Sequence, residues 1–228
     1  MRINFTISSL SRHGGGTSAC VPMLAREIAK RGHQVRLFTI AGADGLDLDE
    51  EALEGVEVIG AAPSRPYRLA GSRSLRRRIV RYGEGDVFHA HGLWDLPTHY
   101  AARFCRRSGQ PYLVSPHGML EAWALQRSAW KKKVIGWLYQ NKDLSRANCL
   151  HALTRGERTS IRNYGLRNPI AVVPNGIDLA EMDGMARSRG LFEQRFPKAK
   201  GRPIALFLSR IHPKKGLLPL VAAWAEIH

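Results

Sequence analysis

Four short segments of this chain combine histidine, glycine and basic residues in ways that could do chemistry. The first is Ser209-Arg210-Ile211-His212-Pro213-Lys214-Lys215-Gly216. It follows an apolar run, Ile204-Ala205-Leu206-Phe207-Leu208, that reads as a buried parallel strand. A strand that runs into Ser-Arg, a basic loop, and a glycine before a helical pattern is a place to hold a phosphate. Arg210 and Lys215 supply fixed positive charge, and a helix N-terminus adds free N–H groups. The second segment is His13-Gly14-Gly15-Gly16-Thr17, between the first apolar run and a helical pattern. Gly15 and Gly16 would let a ligand approach the backbone closely. The spacing is neither Gly-x-Gly-x-x-Gly nor a P-loop, and no acidic residue closes the second strand. A plain strand-to-helix turn is the competing explanation.

The third segment, Ser115-Pro116-His117-Gly118-Met119, also follows a strand-like run. There His117 could donate to a hydroxyl or phosphate, or exchange a proton with substrate. It could equally be a loop histidine satisfied by backbone groups. The fourth, His89-Ala90-His91, puts two imidazoles on one face of a strand. A metal site would need a further ligand, and no carboxylate or third histidine follows at ligand spacing. Core or strand-end histidines are the favoured explanation.

Apolar β-type runs alternate with helical patterns and must position these segments. Residues 3–7, 35–40, 56–59, 86–90, 112–115, 149–154 and 170–173 read as strands. Between them lie helical patterns that include Val21, Leu24, Ala25 and Ile28, then residues 97–108 and 121–139. Such alternation predicts an α/β protein with a Rossmann-like, doubly wound parallel sheet. Ligands then bind beyond the carboxyl ends of the strands. Residues 1–180 form this first domain. Residues 181–203 carry a polar helical segment and a Pro- and Lys-rich linker, and 204–228 begin a second unit. About 25 residues are too few to fold alone, since independent domains need roughly 40.

Composition narrows the partners. The 228 residues carry a formal net charge of +16, which points to a polyanion: phosphorylated substrate, anionic membrane surface or nucleic acid. The charge is clustered at Arg73 with Arg76-Arg77-Arg78 and Arg81, at Lys131-Lys132-Lys133, and at Lys214-Lys215. No long uncharged apolar segment reads as a transmembrane helix, and the N-terminus does not read as a signal peptide. Cys20, Cys105 and Cys149 are odd in number and far apart, which suits free thiols in a reducing, cytoplasmic setting. Trp123, Trp130, Val134, Trp137 and Leu138 fall on one side of a helical pattern that also carries the three lysines. That arrangement suits a membrane interface, but a core-facing stripe with a solvated basic face is the default expectation. The arginine cluster lacks the interleaved aromatics of single-strand binders, so nucleic acid is disfavoured.

Taken in order, His13-Gly14-Gly15-Gly16, Ser115-Pro116-His117-Gly118, Val173-Pro174-Asn175-Gly176-Ile177-Asp178 and Ser209-Arg210 through Lys214-Lys215-Gly216 resemble the family 4 glycosyltransferases of the GT-B fold. The Trp- and Lys-rich helix after Met119 looks like bacterial members that build exopolysaccharide or lipopolysaccharide. The resemblance implies two Rossmann-like halves, the first receiving a saccharide or lipid-linked acceptor and the second gripping a nucleotide-diphosphate sugar donor. It implies transfer with retention of configuration, with no metal ion and no cofactor. By position, Arg210 and Lys215 would hold the donor diphosphate, and Gly15 and Gly16 would approach donor phosphate and sugar. His117 would contact the transferred sugar at the reacting centre, and Asn175 and Gly176 would shape an interdomain turn. The family's second half, with its donor-contacting glutamates, is almost wholly missing from these residues. The chain by itself is therefore expected to transfer little or no sugar. A cytoplasmic protein, with the inner membrane face as an anionic surface, fits this resemblance. A non-catalytic basic module that binds an anionic glycan, lipid or nucleic acid is the alternative.

Overall fold

The computed structural model describes residues 1–11, 15–41, 53–179, 189–209, 211 and 215–227. Backbone contacts divide the chain into one unit over Met1–Ile177 and another over Asp178–His228. In the first, β1 (Arg2–Ile7), β2 (Gln34–Ile40), β3 (Val56–Ala61), β4 (Val87–His91), β5 (Tyr112–Ser115), β6 (Cys149–Ala152) and β7 (Ile170–Val172) make one sheet. Their order is β3-β2-β1-β4-β5-β6-β7. Every pairing is parallel. The chain winds outward from β1 to β3, then crosses back to place β4 against the other side of β1. That reversal leaves a crevice at the carboxyl ends of β1 and β4.

Side-chain parity divides what each strand contributes. Phe88 and Ala90 of β4, Tyr112 and Val114 of β5, and Leu150 and Ala152 of β6 join one buried cluster. Leu75 and Ile79 of α2 (Arg73–Tyr82) and Ala101, Ala102 and Cys105 of α3 (Leu96–Ser108) pack into the same cluster. Phe5 and Ile7 of β1 and Val35 and Leu37 of β2 form a second cluster with Val21 and Ala25 of α1 (Gly16–Lys30). Odd-numbered positions of β4 to β6 therefore turn away from the large core. Those positions hold His89, His91, Ser115 and His151.

Local chemistry fixes where the helices begin. Ser72 caps α2 by accepting from the Leu75 N–H at 3.0 Å, and its hydroxyl donates to the Ala62 carbonyl. Asp95 caps α3, which carries a proline in its first turn and stops at Gly109 with φ 75°. After β5 come α4 (Ala122–Gln126) and α5 (Ala129–Ile135), a π turn over Gly136–Gln140, and α6 (Asn141–Ser145). The single helix expected over 121–139 is thus broken. Ser128 adopts φ 51°, a left-handed conformation that no α-helix accommodates. Helix α7 (Arg155–Asn163) then leads to β7.

The aromatic stripe on this segment differs from the default expectation. Trp130, Val134, Trp137 and Leu138 are all exposed, and it is Gly136, Gln140, Asp143 and Leu144 that face the protein. The inner positions are small or hydrogen-bonding, so the large apolar side chains are left outside.

The second unit contains α8 (Arg189–Arg195) and α9 (Leu217–Ile227). Residues 204–208 are not a strand here, contrary to the expectation from their apolar run. Leu208 is 89% exposed. A strand exists only by pairing, and among the described residues no neighbour pairs with this segment.

A buried ionic cluster staples α3 to α6. The Asp143 carboxylate is inaccessible to solvent and is held by His99 Nδ1 at 2.7 Å and by the Arg106 guanidinium. The Tyr112 hydroxyl donates to the Asp143 carbonyl at 2.6 Å. Removing the arginine strands a buried charge, which costs about 3 kcal/mol or more. Arg106→Ala should lower the urea midpoint accordingly, whereas exposed Arg107→Ala should leave it nearly unchanged. Equal midpoints for both variants would show that the pair is not a structural staple.

Candidate active site

The carboxyl ends of β4, β5 and β6 bring four imidazoles together. His89 Nε2 lies 2.7 Å from Ser115 Oγ, and Ser115 Oγ lies 2.7 Å from His151 Nδ1. His151 Nε2 reaches the Val173 carbonyl at 2.8 Å. A carbonyl only accepts, so His151 carries its proton on Nε2 and accepts at Nδ1. The Ser115 hydroxyl must then donate to His151 and accept from His89, whose proton sits on Nε2. One carbonyl thus orders the protons along a relay across the sheet.

A second contact links the strands to the loop. His91 Nδ1 lies 2.9 Å from His117 Nε2, and the two rings stack with centroids 5.2 Å apart. His91 also stacks on Phe5 and lies against His89, with centroids 5.5 Å and 4.1 Å away. The other nitrogen of His91, Nε2, is buried without a partner among the described residues. An unsatisfied N–H is costlier there than a bare ring nitrogen. The assignment that follows puts the His91 proton on Nδ1, donating to His117 Nε2. His117 then keeps its own proton on Nδ1, a donor for whatever occupies the crevice.

The backbone that carries His117 is held under constraint. His117 has φ 52° and Gly118 φ 74°, two left-handed residues in a tight turn closed by Met119 N–H donating to the Pro116 carbonyl at 3.1 Å. For histidine that conformation is unfavourable and needs support. Glu157 provides it from α7. One carboxylate oxygen accepts from the Gly118 N–H at 2.6 Å and the other from the Leu153 N–H at 2.7 Å. Thr154 caps α7 by accepting from the Glu157 N–H at 3.0 Å. The first turn of α7 therefore carries both the helix cap at Thr154 and the Glu157 clamp on the His117 turn.

The loop after β1 meets the same region. Asp95, which follows β4, is hydrogen-bonded by the Ser8 side chain, and burial pushes its carboxyl up to about 6 against the hydrogen bonds from Thr98 and Ser8. Gly15 precedes α1 with φ 86°. Space is open where a Gly16 side chain would begin, so the backbone is accessible at the start of the helix. The Cys20 thiol in α1 is pushed up by burial and hydrogen-bonds to the side chain of Asn175. Lys215 is an exposed residue of the second unit, two positions ahead of α9. His13, Gly14 and Arg210 lie outside the described residues.

Burial governs the charge of the cluster. It pushes His89 down to about 3, with the like-charge repulsion that His151 and His117 would exert when protonated adding to the effect. It pushes His117 down to about 4, with His151 again contributing, and His91 well below the ordinary range. These three imidazoles are neutral at pH 7. His117 is thus a neutral hydrogen-bonding group there, not a fixed cation. Among the described residues no three metal-ligating side chains gather closely enough to hold an ion. An open hollow of about 370 Å³ lined by Arg2, Asn4, Arg36 and Glu57 lies at the amino ends of β1 and β2, the edge opposite this site.

With that geometry in place, the similarity to known proteins is specific. A glycosyl transferase 4-like domain matches residues 15–176. The chain belongs to the glycosyl transferase 4-like family. A D-inositol 3-phosphate glycosyltransferase of Nocardia farcinica is 28% identical over 229 aligned positions, covering 93% of this chain and 50% of that protein. One from Kineococcus radiotolerans is 27% identical, covering 93% of this chain and 52% of its own length. The chain spans about half the length of the curated relatives it matches. Among solved structures, Anabaena Alr3699/HepE in complex with UDP and glucose superposes with TM-score 0.67 at 23% identity, over 99% of this chain and 58% of that one. Sucrose-phosphate synthase from Thermosynechococcus elongatus superposes with TM-score 0.70 at 16% identity, over all of this chain and 60% of that one. The sheet with its flanking helices is therefore the Rossmann-like arrangement of GT-B glycosyltransferases.

His151, Glu157 and Asp95 line the candidate site and were not singled out from the sequence. The Thr-x-x-Glu spacing at 154–157 could have signalled a helix start, but nothing in it reveals the tie to Gly118. His151 was detectable only as an odd-parity residue on a strand. Its tie to His89 through Ser115 needed the strand order.

The depressed histidines make stability depend on pH. Their folded values lie below the unfolded value of about 6.5, so the unfolded chain binds more protons at acid pH. Stability is present above about pH 6.5 and is lost as pH falls toward 4, at about 1.4 kcal/mol per pH unit for each histidine. Asp95 acts oppositely between about 6 and 4, but it is one group against three. Urea midpoints should fall steeply from pH 6.5 to 4.5 and less steeply in His89→Gln. A midpoint independent of pH in that window would refute the neutral cluster.

Proposed function

We propose that this chain is the acceptor-side part of a glycosyltransferase that moves a sugar from a nucleoside-diphosphate donor to a saccharide or lipid-linked acceptor. The observation that carries this is the His117 turn, a left-handed histidine clamped by Glu157 and His91 at the sheet's carboxyl edge, inside the matched family domain. Residues 1–180 take the acceptor side, 181–203 the connection, and 204–228 the beginning of the donor side. The Anabaena relative in fold was solved with UDP and glucose, which supports a nucleotide-sugar donor. Surface-polysaccharide synthesis at a cytoplasmic, anionic membrane face is the setting proposed.

In the transfer, the bond from the sugar's anomeric carbon to the donor diphosphate breaks. A new bond forms from that carbon to the acceptor oxygen, whose proton passes to the departing diphosphate. Negative charge grows on the leaving diphosphate and is stabilised by Arg210, Lys215 and the N–H groups that open α1 beside Gly15 and Gly16. His117, neutral and donating through Nδ1, holds a hydroxyl of the transferred sugar at the reacting centre. Retention of configuration without a metal ion is part of this proposal.

The test uses the 228-residue chain alone and fused to the C-terminal half of a curated relative, with radiolabelled UDP-glucose and other nucleotide sugars. The chain alone should transfer little sugar and the fusion should turn over. His117→Ala in the folded fusion should lower kcat about 100-fold, the scale of one transition-state donor. A fusion inert toward every donor, or one unaffected by His117→Ala, would overturn the proposal.

A further inference from the structure

The segment from Ala129 to Ser145 runs as one continuous helix through its π turn, since the residues that join its pieces all remain right-handed helical. One side of it is accounted for. Gly136, Gln140, Asp143 and Leu144 are buried, and Asp143 anchors the segment to α3. The other side is not explained by any core. Trp130, Val134, Trp137 and Leu138, at successive spacings of four, three and one, are 68%, 47%, 82% and 61% exposed. Large apolar side chains in an outward row are costly in water, at about 25 cal/mol for each Å² left wet.

Charge decides what this row fits. Lys131 and Lys133 are exposed beside it, and the Lys131 ammonium lies 5.6 Å from the Trp130 ring centre. The chain as a whole carries +16. A second copy of this face would bring lysines against lysines. A nucleic acid would use the cations but has little use for Val134 and Leu138. A bilayer with anionic headgroups satisfies both parts: indole rings settle at the headgroup level, aliphatic side chains enter the acyl boundary, and lysines meet the lipid phosphates.

The row is also tied to the candidate active site. Gln140, in the π turn, accepts a hydrogen bond from the Trp94 N–H at 2.8 Å, and the Lys132 ammonium lies 5.8 Å from the Trp94 ring centre. Trp94 stands immediately before Asp95, at the carboxyl end of β4. From this juxtaposition we infer that the outward face of Ala129–Gln140, carried by Trp130, Val134, Trp137, Leu138, Lys131 and Lys133, docks the protein on an anionic lipid bilayer beside the mouth of the site. This deepens the membrane setting proposed above but does not depend on sugar transfer, because docking is measured without donor or acceptor.

The experiment is co-sedimentation of the full chain with vesicles of phosphatidylcholine alone or with 30% phosphatidylglycerol. Binding should require the anionic lipid and weaken as salt rises. Trp130→Ala/Trp137→Ala should lower the partition coefficient at least tenfold. Lys131→Glu/Lys133→Glu should lower it more than about 25-fold, since each lysine near an anionic surface contributes about fivefold and each glutamate adds repulsion. All these side chains are exposed, and circular dichroism is the check that the variants fold. A control, Arg77→Glu/Arg78→Glu in α2, should reduce binding far less. Vesicle binding that both the tryptophan and the lysine variants retain, or that only the α2 variant loses, would overturn the inference. So would no binding to either vesicle, a preference for duplex nucleic acid in a gel shift, or a dimer in sedimentation that Trp137→Ala dissolves.

Discussion

The Ser115 hydroxyl sits where three strands must agree. Strand periodicity turns His89, Ser115 and His151 to the same face, the register sets Ser115 opposite His91 and diagonal to His89, and the Ser115 hydroxyl bridges His89 and His151. Buried polar atoms that fail to find one another are expensive, so register here is dictated by hydrogen bonding as much as by apolar packing. The Val173 carbonyl at one end assigns every proton along the row. The carboxyl edge of the sheet is thereby fixed in position, burial keeps His89 and His91 uncharged, and the loops that carry the candidate site grow from that edge.

Support for the site is distributed unevenly. His117 occupies a backbone conformation that costs energy, and the structure concentrates rigid partners around it. Glu157 belongs to a helix cap, His91 to a strand end, and Pro116 to the turn itself. A short glycine-containing loop would otherwise sample many conformations. Clamping it from two secondary-structure elements holds the imidazole in one orientation.

The segment after β5 obeys a different logic. Its inner face is narrow, because Gly136 and Gln140 bring it close and Asp143 ties it down. Its outer face is apolar and basic together, a combination that a globular core cannot use. The π turn shifts the helix so that Gln140 can reach the Trp94 backbone, which couples the outer face to the loop after β4. Anchoring, exposure and proximity to the site are therefore features of one helix.

Much of the fold was legible without coordinates. The alternation of β-type runs with helical patterns pointed to the seven strands of the sheet, whereas the helix caps at Ser72, Asp95 and Thr154 came from the folded structure. The His117 loop could be singled out because it follows a strand beside a glycine. Tertiary structure alone decided the rest. Residues 204–208 have the composition of a strand, but pairing is non-local and no described neighbour supplies it. The outward turn of Trp130 and Trp137 depends on which face of the helix meets the sheet, and amphipathic patterning gives two faces without saying which is inside. The partnership of His91 with His117 spans two strands, and the grip of Glu157 on Gly118 joins residues 39 positions apart. Sequence specifies local geometry because neighbouring atoms constrain one another directly. Contacts across the sheet are set by strand order, which only the folded chain possesses.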